Sequence, residues 1–343
     1  MTINSLKLQE FTVFEDLEIQ FSPGINVFIG ENGTGKTHLL KVLYSFCASM
    51  SDPTLGMVGR DISLESGLFA CFGAMRGFEF VRKSSINNMS APSTARLEFH
   101  ADEVERKCMI SQGSTQMSSN THDMKEVISS IFIPSKDMLT HARGLLTMAE
   151  RHSKDMPFDK TLLDIIRNTE TWKVDEPPKL AKNITPILEE IIGGTISQQD
   201  GDFYVLKPGG QKIRFSLEAE GIKKFGLIWQ LLMTEGIKEN SILFWDEPEA
   251  NINPKLIPCI VKILLELAKH GVQIFIATHD YFLPQYSDVL SVQSDGVKFH
   301  SLYKTEENGV KCETSDKFST LTPNNIIDEK IKLYDAEIEK VMQ

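Results

Sequence analysis

The chain opens on alternation. Leu6-Lys7-Leu8 and Leu17-Glu18-Ile19-Gln20-Phe21 carry apolar side chains at every second position, the period of a half-buried strand. They predict two strands joined across Gln9 to Asp16, then a turn at Ser22-Pro23-Gly24. Ile25-Asn26-Val27-Phe28-Ile29 is apolar at nearly every position, as expected of a strand covered on both faces. His38 to Tyr44 then carries an apolar stripe at helical spacing. Residues 51–125 are less regular. Glu79-Phe80-Val81, Ala95 to His100 and Lys107 to Ile110 predict short strands of a small antiparallel sheet, and the polar run Ser111 to Asn120 predicts a loop.

Further on, Val127 to Pro134 predicts a core strand. Residues 136–195 are mostly helical by periodicity, with a break at Val174-Asp175-Glu176-Pro177-Pro178. Asp202 to Leu206 and Lys212 to Ser216, separated by Lys207-Pro208-Gly209-Gly210-Gln211, predict a hairpin. Ile222 to Met233 predicts a helix. Ser241 to Ala277 predicts a βαβ unit, and Pro323 to Gln343 a charged amphipathic helix. No repeat, low-complexity tract or sustained heptad pattern is visible.

Chemistry enters at the junction of the buried strand and the first helix. Phe28-Ile29-Gly30-Glu31-Asn32-Gly33-Thr34-Gly35-Lys36-Thr37 fits G-x-x-x-x-G-K-[ST] at every fixed position, between the strand and the helix that this motif requires. The glycines let main-chain N–H groups of Asn32, Gly33, Thr34, Gly35, Lys36, Thr37 and His38 turn inward around phosphate oxygens, and the helix N-terminus adds positive partial charge. Lys36 is expected to reach the β- and γ-phosphates of a nucleoside triphosphate, and the Thr37 hydroxyl to ligate Mg²⁺.

A second strand completes this chemistry. Ser241 to Trp245 is a continuous apolar run ending in Asp246 and Glu247. Asp246 is placed to hold Mg²⁺ directly or through water, and Glu247 to position or deprotonate the attacking water. Val272 to Ala277 is another buried strand, with Thr278-His279-Asp280 at its exit, and His279 is expected to sense the γ-phosphate.

Composition narrows the partners. Over 343 residues the formal net charge is −11, which argues against a generally basic nucleic-acid coat while leaving room for a local groove along Lys136, His141, Arg143, Arg151, His152 and Lys154. No secretory h-region and no run near the length of a bilayer span is present. The five cysteines are scattered with no C-x-x-C pair, as in a reduced cytoplasmic protein without a cysteine metal site.

Together, G-E-N-G-T-G-K-T, F-W-D-E-P-E-A-N-I-N-P and I-A-T-H-D, in this order and behind the opening sheet, resemble the ABC-type ATPases of the branch containing SMC, RecF and the overcoming-lysogenization-defect nucleases. The resemblance implies an α/β fold: a P-loop core of ABC type with a mixed β-sheet, a small antiparallel β subdomain and an inserted helical lobe. Residues 1–135 would be the first half of the core, 136–200 the helical lobe, and 201–343 the second half. It also implies ATP and Mg²⁺ as cofactors, and a head-to-tail dimer in which each ATP meets the phosphate loop of one subunit and a signature segment of the other.

The signature position is occupied by Leu217-Glu218-Ala219-Glu220-Gly221-Ile222-Lys223, where Ala219, Glu220, Gly221 and Lys223 are the candidates and Ala219 replaces the usual serine. Phe132-Ile133-Pro134-Ser135-Lys136-Asp137 lacks the usual coupling glutamine, which leaves Ser135 or Lys136 as candidates for that role. F-I-P-S-K-D-M-L, E-A-E-G and I-I-D-E-K-I-K-L-Y-D resemble the compact ATPases of bacterial anti-phage defence systems such as Septu, PARIS and retron-associated ATPases. In those, the ATPase works with a separate nuclease or toxin.

The implied function is therefore a slow ATPase switch that controls an effector, without a membrane partner. The alternative is a RecF-like DNA-binding protein of repair. No heptad arm separates Lys36 from Asp246, which disfavours a chromosome-organising SMC protein. Tyr281 to Gln343 is too short for a metal-binding Toprim domain, so nuclease activity is expected of a partner.

Overall fold

The computed structural model describes residues 1–50, 64–73, 77–82, 94–111, 115–119, 128–151, 158–170, 174, 176–305 and 309–342, and the structural statements below concern these residues. In chain order the strands are β1 (Ile3–Phe11), β2 (Phe14–Gln20), β3 (Ile25–Gly30), β4 (Thr94–Ala101), β5 (Val104–Ser111), β6 (Thr115–Ser119), β7 (Ser130–Ile133), β8 (Thr195–Gln199), β9 (Asp202–Leu206), β10 (Lys212–Arg214), β11 (Ile242–Asp246), β12 (Gln273–Ala277), β13 (Val297–Lys304) and β14 (Val310–Ser315). The α-helices are α1 (Lys36–Ala48), α2 (Leu64–Phe72), α3 (Leu145–Arg151), α4 (Lys160–Thr169), α5 (Thr185–Ile192), α6 (Glu220–Met233), α7 (Ile257–Lys269), α8 (Phe282–Leu290) and α9 (Asn325–Met342).

A six-stranded mixed sheet of order β14-β13-β3-β12-β11-β7 is the centre of the molecule. Its strands run parallel except β14, which pairs antiparallel with β13. Successive side chains on each strand point to opposite faces. Val27, Ile29, Ile131, Ile133, Leu243, Trp245, Ile274 and Ile276 make an almost wholly aliphatic face, packed with residues of α4, α5, α6 and α7. Phe28, Phe132, Phe244 and Phe275 make the opposite, aromatic face, packed with α1 and the antiparallel sheet. Rings stack from strand to strand there: His300 on Phe28 at 4.8 Å, Phe28 on Phe275 at 6.5 Å, and Phe275 on Phe244 at 5.2 Å.

The antiparallel sheet has order β2-β1-β4-β5-β6, so strands far apart in sequence close on the opening hairpin. Two expectations fail here. Glu79-Phe80-Val81 is not a strand: Gly77–Phe80 is a 3₁₀ turn and Val81 makes an isolated bridge to Phe11. Phe80 and Val81 are both buried, whereas a half-buried strand would alternate. Phe80 stacks on Phe11 at 5.7 Å. The expected loop Ser111 to Asn120 contains β6, an edge strand paired only with β5. Its register rests on main-chain bonds, which leave no apolar signature in Thr-Gln-Met-Ser-Ser.

The hairpin of β9 and β10 has a third strand, β8, and β10 ends at Arg214, before a 3₁₀ turn over Phe215–Leu217. Val127, where the core strand was expected to start, lies outside the described residues, as does Asp175 in the expected break. Leu139, Ile165, Leu188 and Ile192 share one hydrophobic cluster with the aliphatic face of the central sheet. The helices between β7 and β8 are tied to α1 by polar contacts as well: Lys41 pairs with Asp159 at 2.6 Å, and the Tyr44 hydroxyl donates to Asp164 at 2.7 Å.

Candidate nucleotide site

The site forms where β3, β12 and β11 end side by side. Ala277 is in register with both Phe28 and Asp246, so one sheet edge carries the phosphate loop, the Thr278-His279 exit and the Asp246-Glu247 pair. This is the crevice outside the carboxyl ends of parallel strands, where open α/β sheets bind ligands.

The loop is held in shape by its own chain. Gly35 sits at φ 88° before the first turn of α1, and a Cβ there would lie 2.5 Å from Phe14 Cζ and 2.7 Å from Val13 Cγ2. Glycine is therefore needed both for the backbone conformation and for the approach of the β1–β2 turn. The Thr34 hydroxyl donates back to the Glu31 carbonyl at 2.9 Å. Lys36 Nζ arches over the loop and donates to the carbonyls of Gly30 at 2.6 Å and Glu31 at 3.0 Å. Burial lowers its pKa, against the opposing charges of Glu247, Asp246, Glu249 and Glu31.

The Thr37 hydroxyl lies 3.1 Å from both carboxylate oxygens of Asp246, across the junction of α1 and β11. Burial pushes the Asp246 carboxyl up to about 6, against the Thr37 hydrogen bond, and the Glu247 charge adds to the rise. An octahedral Mg²⁺ with oxygens at about 2.0–2.1 Å sets neighbouring ligand atoms about 3 Å apart, which the Thr37–Asp246 pair matches. A hydroxyl and a carboxylate are also the hard oxygen donors that this ion takes.

Glu247 adopts φ 49°, unusual for a residue with a side chain. Two contacts fix it: its N–H donates to the Ala277 carbonyl at 2.8 Å, and Lys224 Nζ, from the first turns of α6, donates to its carbonyl at 2.7 Å. Burial brings Lys224 down to about 8. The Glu247 carboxylate lies 3.1 Å from His279 Nδ1, so the two residues expected to handle water and sense phosphate are in direct contact. Behind them, Thr278 Oγ1 donates to buried Glu249 at 2.6 Å and joins the β11 and β12 exits.

Other expected residues are placed differently. The His38 ring is engaged by Thr12 Oγ1 at 3.2 Å and by Phe72 of α2, which leaves its main chain toward the loop. Asn32 is exposed, and its carbonyl accepts from Lys304 at 3.4 Å. Ala219 precedes α6 without any capping side chain, and Ala219 and Glu220 are exposed. Gly221 lets α6 approach the turn after β11, since a Cβ there would lie 3.2 Å from the Asn251 carbonyl. Lys223 is buried and bonded within its own chain, to Glu220 at 2.7 Å and Asp137 at 3.6 Å. Asp137 thus makes a contact from the β7 exit to α6, next to Ser135 and Lys136, the expected coupling groups.

Sequence reading missed Lys224, Glu249 and Asn325. Asn325, at the start of α9, donates to Glu31 of the phosphate loop at 2.7 Å. With Ile326 and Glu329 it lines a cavity of about 730 Å³ that also takes in Gly30, Asn32, Glu249, Asn251, His279 and Asp280. Glu249 was open to discovery through the D-E-P-E run, whereas the other two depend on long-range packing.

The fold and the motifs agree with the comparisons. SMC head structures superpose over most of the chain: one from Thermotoga maritima has TM-score 0.52 at 14% identity, covering 92% of this chain and 100% of that one. Another, bound to the C-winged helix domain of ScpA, has TM-score 0.58 at 14% identity, covering 92% of this chain and 98% of its own. In fold and in the order of its motifs, the chain is similar to the ABC-type ATPases of the SMC/RecF branch. Residues 141–283 match the family described as "AAA domain, putative AbiEii toxin, Type IV TA system", and residues 1–94 match "AAA ATPase domain". Curated proteins similar to this chain include DNA replication and repair protein RecF of Salmonella arizonae and of Salmonella typhi. Each is 21% identical over 214 residues, covering 56% of this chain. The match spans 59% of the length of these relatives.

Proposed function

We propose that the chain binds and hydrolyses ATP with Mg²⁺, dimerises head to tail around the nucleotide, and works as a switch on a separate nuclease or toxin in anti-phage defence. The observation that carries this reading is the convergence of Lys36, Thr37, Asp246, Glu247 and His279 at one sheet edge. Lys36 holds the β- and γ-phosphates once its amine leaves the Gly30 and Glu31 carbonyls. Thr37 and Asp246 hold the metal, which supplies charge stabilisation for the transferring phosphoryl group. Glu247 accepts the proton of the attacking water, and His279, in contact with it, donates to the γ-phosphate.

The dimer reading is supported by the open start of α6. Its N-terminus has no side-chain cap, and Leu217 beside it is 78% exposed, as suits a segment that offers N–H groups to a phosphate held by another subunit. The effector reading is supported by the match to a family described by a toxin of a toxin–antitoxin system. Lys36→Ala is expected to abolish ATP binding and turnover; titration calorimetry that finds ATP affinity unchanged in this variant contradicts the site.

A second reading rests on the RecF relatives: an ATP-dependent DNA-binding protein of repair. The basic residues available to it are limited, since Arg143 is paired with Asp202 at 3.1 Å, and His152 and Lys154 lie outside the described residues. DNA affinity that rises with ATP and falls steeply with salt would favour it.

A further inference from the structure

Helix α9 is anchored at one end only. Ile326 and Ile327 pack against the core, Asn325 holds Glu31, and Lys330 Nζ rests 3.5 Å from the ring centroid of Tyr281. From Asp328 to Met342 every residue is exposed. Unsupported helix of this length is marginal in water, so something must cover it if it is to persist.

The sequence of the exposed part says what kind of surface fits. Ile331, Tyr334, Ile338 and Val341 are 53%, 62%, 42% and 87% exposed, and they follow Ile327 at spacings that alternate four and three residues. That pattern gives a narrow seam, as in helices that pair with one another, rather than the wide stripe of a helix lying on a globular core. Ile331 and Ile338 take the a positions, and Tyr334 and Val341 the d positions, in phase with Ile327, which packs on the body.

We propose that α9 pairs in parallel, in register, with α9 of a second copy of this chain. The charges flanking the seam select that occupant. Lys330 falls at a g position and Asp335 at the following e position, so parallel pairing sets each Lys330 beside the other copy's Asp335, twice by symmetry. Glu337 at the next g position faces Met342, which carries no charge. Antiparallel pairing of the same seam opposes Asp328 and Asp335 on one flank and sets Lys330 against Glu337 on the other, so repulsion offsets attraction there, whereas parallel pairing carries the Lys330–Asp335 attraction alone. The interface is separate from the nucleotide-dependent one and needs no ATP. Because its root holds Glu31, it places two phosphate loops in one assembly.

The test uses the full chain with Lys36→Ala and no nucleotide, so that an ATP-held dimer is absent and failure here is distinct from failure of the function proposed above. Sedimentation velocity over increasing protein concentration is expected to show a monomer–dimer equilibrium. Ile338→Glu, on the exposed helix face, should weaken it at least tenfold while leaving thermal unfolding of the body unchanged. Val341→Cys should form a disulfide-linked dimer on oxidation, as expected only where equivalent seam positions meet. A monomer at all concentrations, a dimer indifferent to Ile338→Glu, or a Val341→Cys variant that stays uncrosslinked while dimeric would each overturn the proposal.

Discussion

At the scale of single residues, the site depends on a few main-chain positions being held against their preference. Glu247 at φ 49° is the clearest, and Lys224 is the side chain that pins its carbonyl. Lys224→Met keeps the bulk of the stem and removes the bond. We expect ATP affinity to stay within a few-fold and turnover to fall by roughly 10²-fold, the scale of a misplaced catalytic group. Arginine at this position should recover part of that loss. A steady-state comparison in which Lys224→Met changes affinity alone would assign the lysine to binding instead.

Asp246 adds a pH dependence of known sign. Its carboxyl titrates at about 6, and only the ionised form holds a metal. Lowering pH from about 8 toward 5 is therefore expected to weaken Mg²⁺-dependent ATP binding, with the loss concentrated below the Asp246 value. Binding measured without Mg²⁺ over the same range should change less. Equal slopes with and without the metal would remove Asp246 from the role of ligand.

At the scale of elements, the central sheet was legible in the chain because both of its faces are covered. Runs such as Ile25 to Ile29, Ile242 to Trp245 and Ile274 to Ala277 are buried throughout and apolar but for Asn26, so no alternation confuses the reading. The phosphate loop, the acidic strand end and the histidine exit were legible for the same reason, since each follows one of those runs. What stayed hidden was held by distant partners. The edge strand β6 is polar because pairing with β5 needs only its backbone, and the turn Gly77–Phe80 is decided by stacking on Phe11. Lys224, Asp137 and Asn325 act through bonds that span many residues, and no local spacing marks them.

His300 gives this scale its own experiment. It is buried in β13, where a neutral ring can donate from Nε2 to Asn26 Oδ1 at 3.2 Å and accept at Nδ1 from Thr314 at 2.9 Å. Burial brings its pKa down to about 3 from 6.5. Below 6.5 the unfolded chain takes up a proton that the folded one refuses, so stability is lost as pH falls from 6.5 toward 3. His300→Gln is expected to lower the melting temperature at neutral pH and to make its decline with acid shallower. A variant that keeps the full acid slope would place the sensitivity elsewhere.

At the scale of the whole molecule, the two faces of the sheet divide the work. The aromatic face seats α1 and the antiparallel sheet, and so fixes the phosphate loop; the aliphatic face seats α6, whose first turn carries the signature-like segment and whose Lys224 reaches Glu247. Both meet at the carboxyl edge of the strands, which leaves loop and signature on one connected framework. That framework is the one shared with SMC heads, and the sequence disclosed it through three motifs in order. The central claim is that ATP closes two such frameworks on each other. The most direct measurement is the mass of Glu247→Gln by light scattering, with Mg²⁺ and with or without ATP. The account predicts that ATP roughly doubles the mass and that adding Lys36→Ala abolishes the change. An identical mass in both conditions, with ATP shown to be bound, would contradict it.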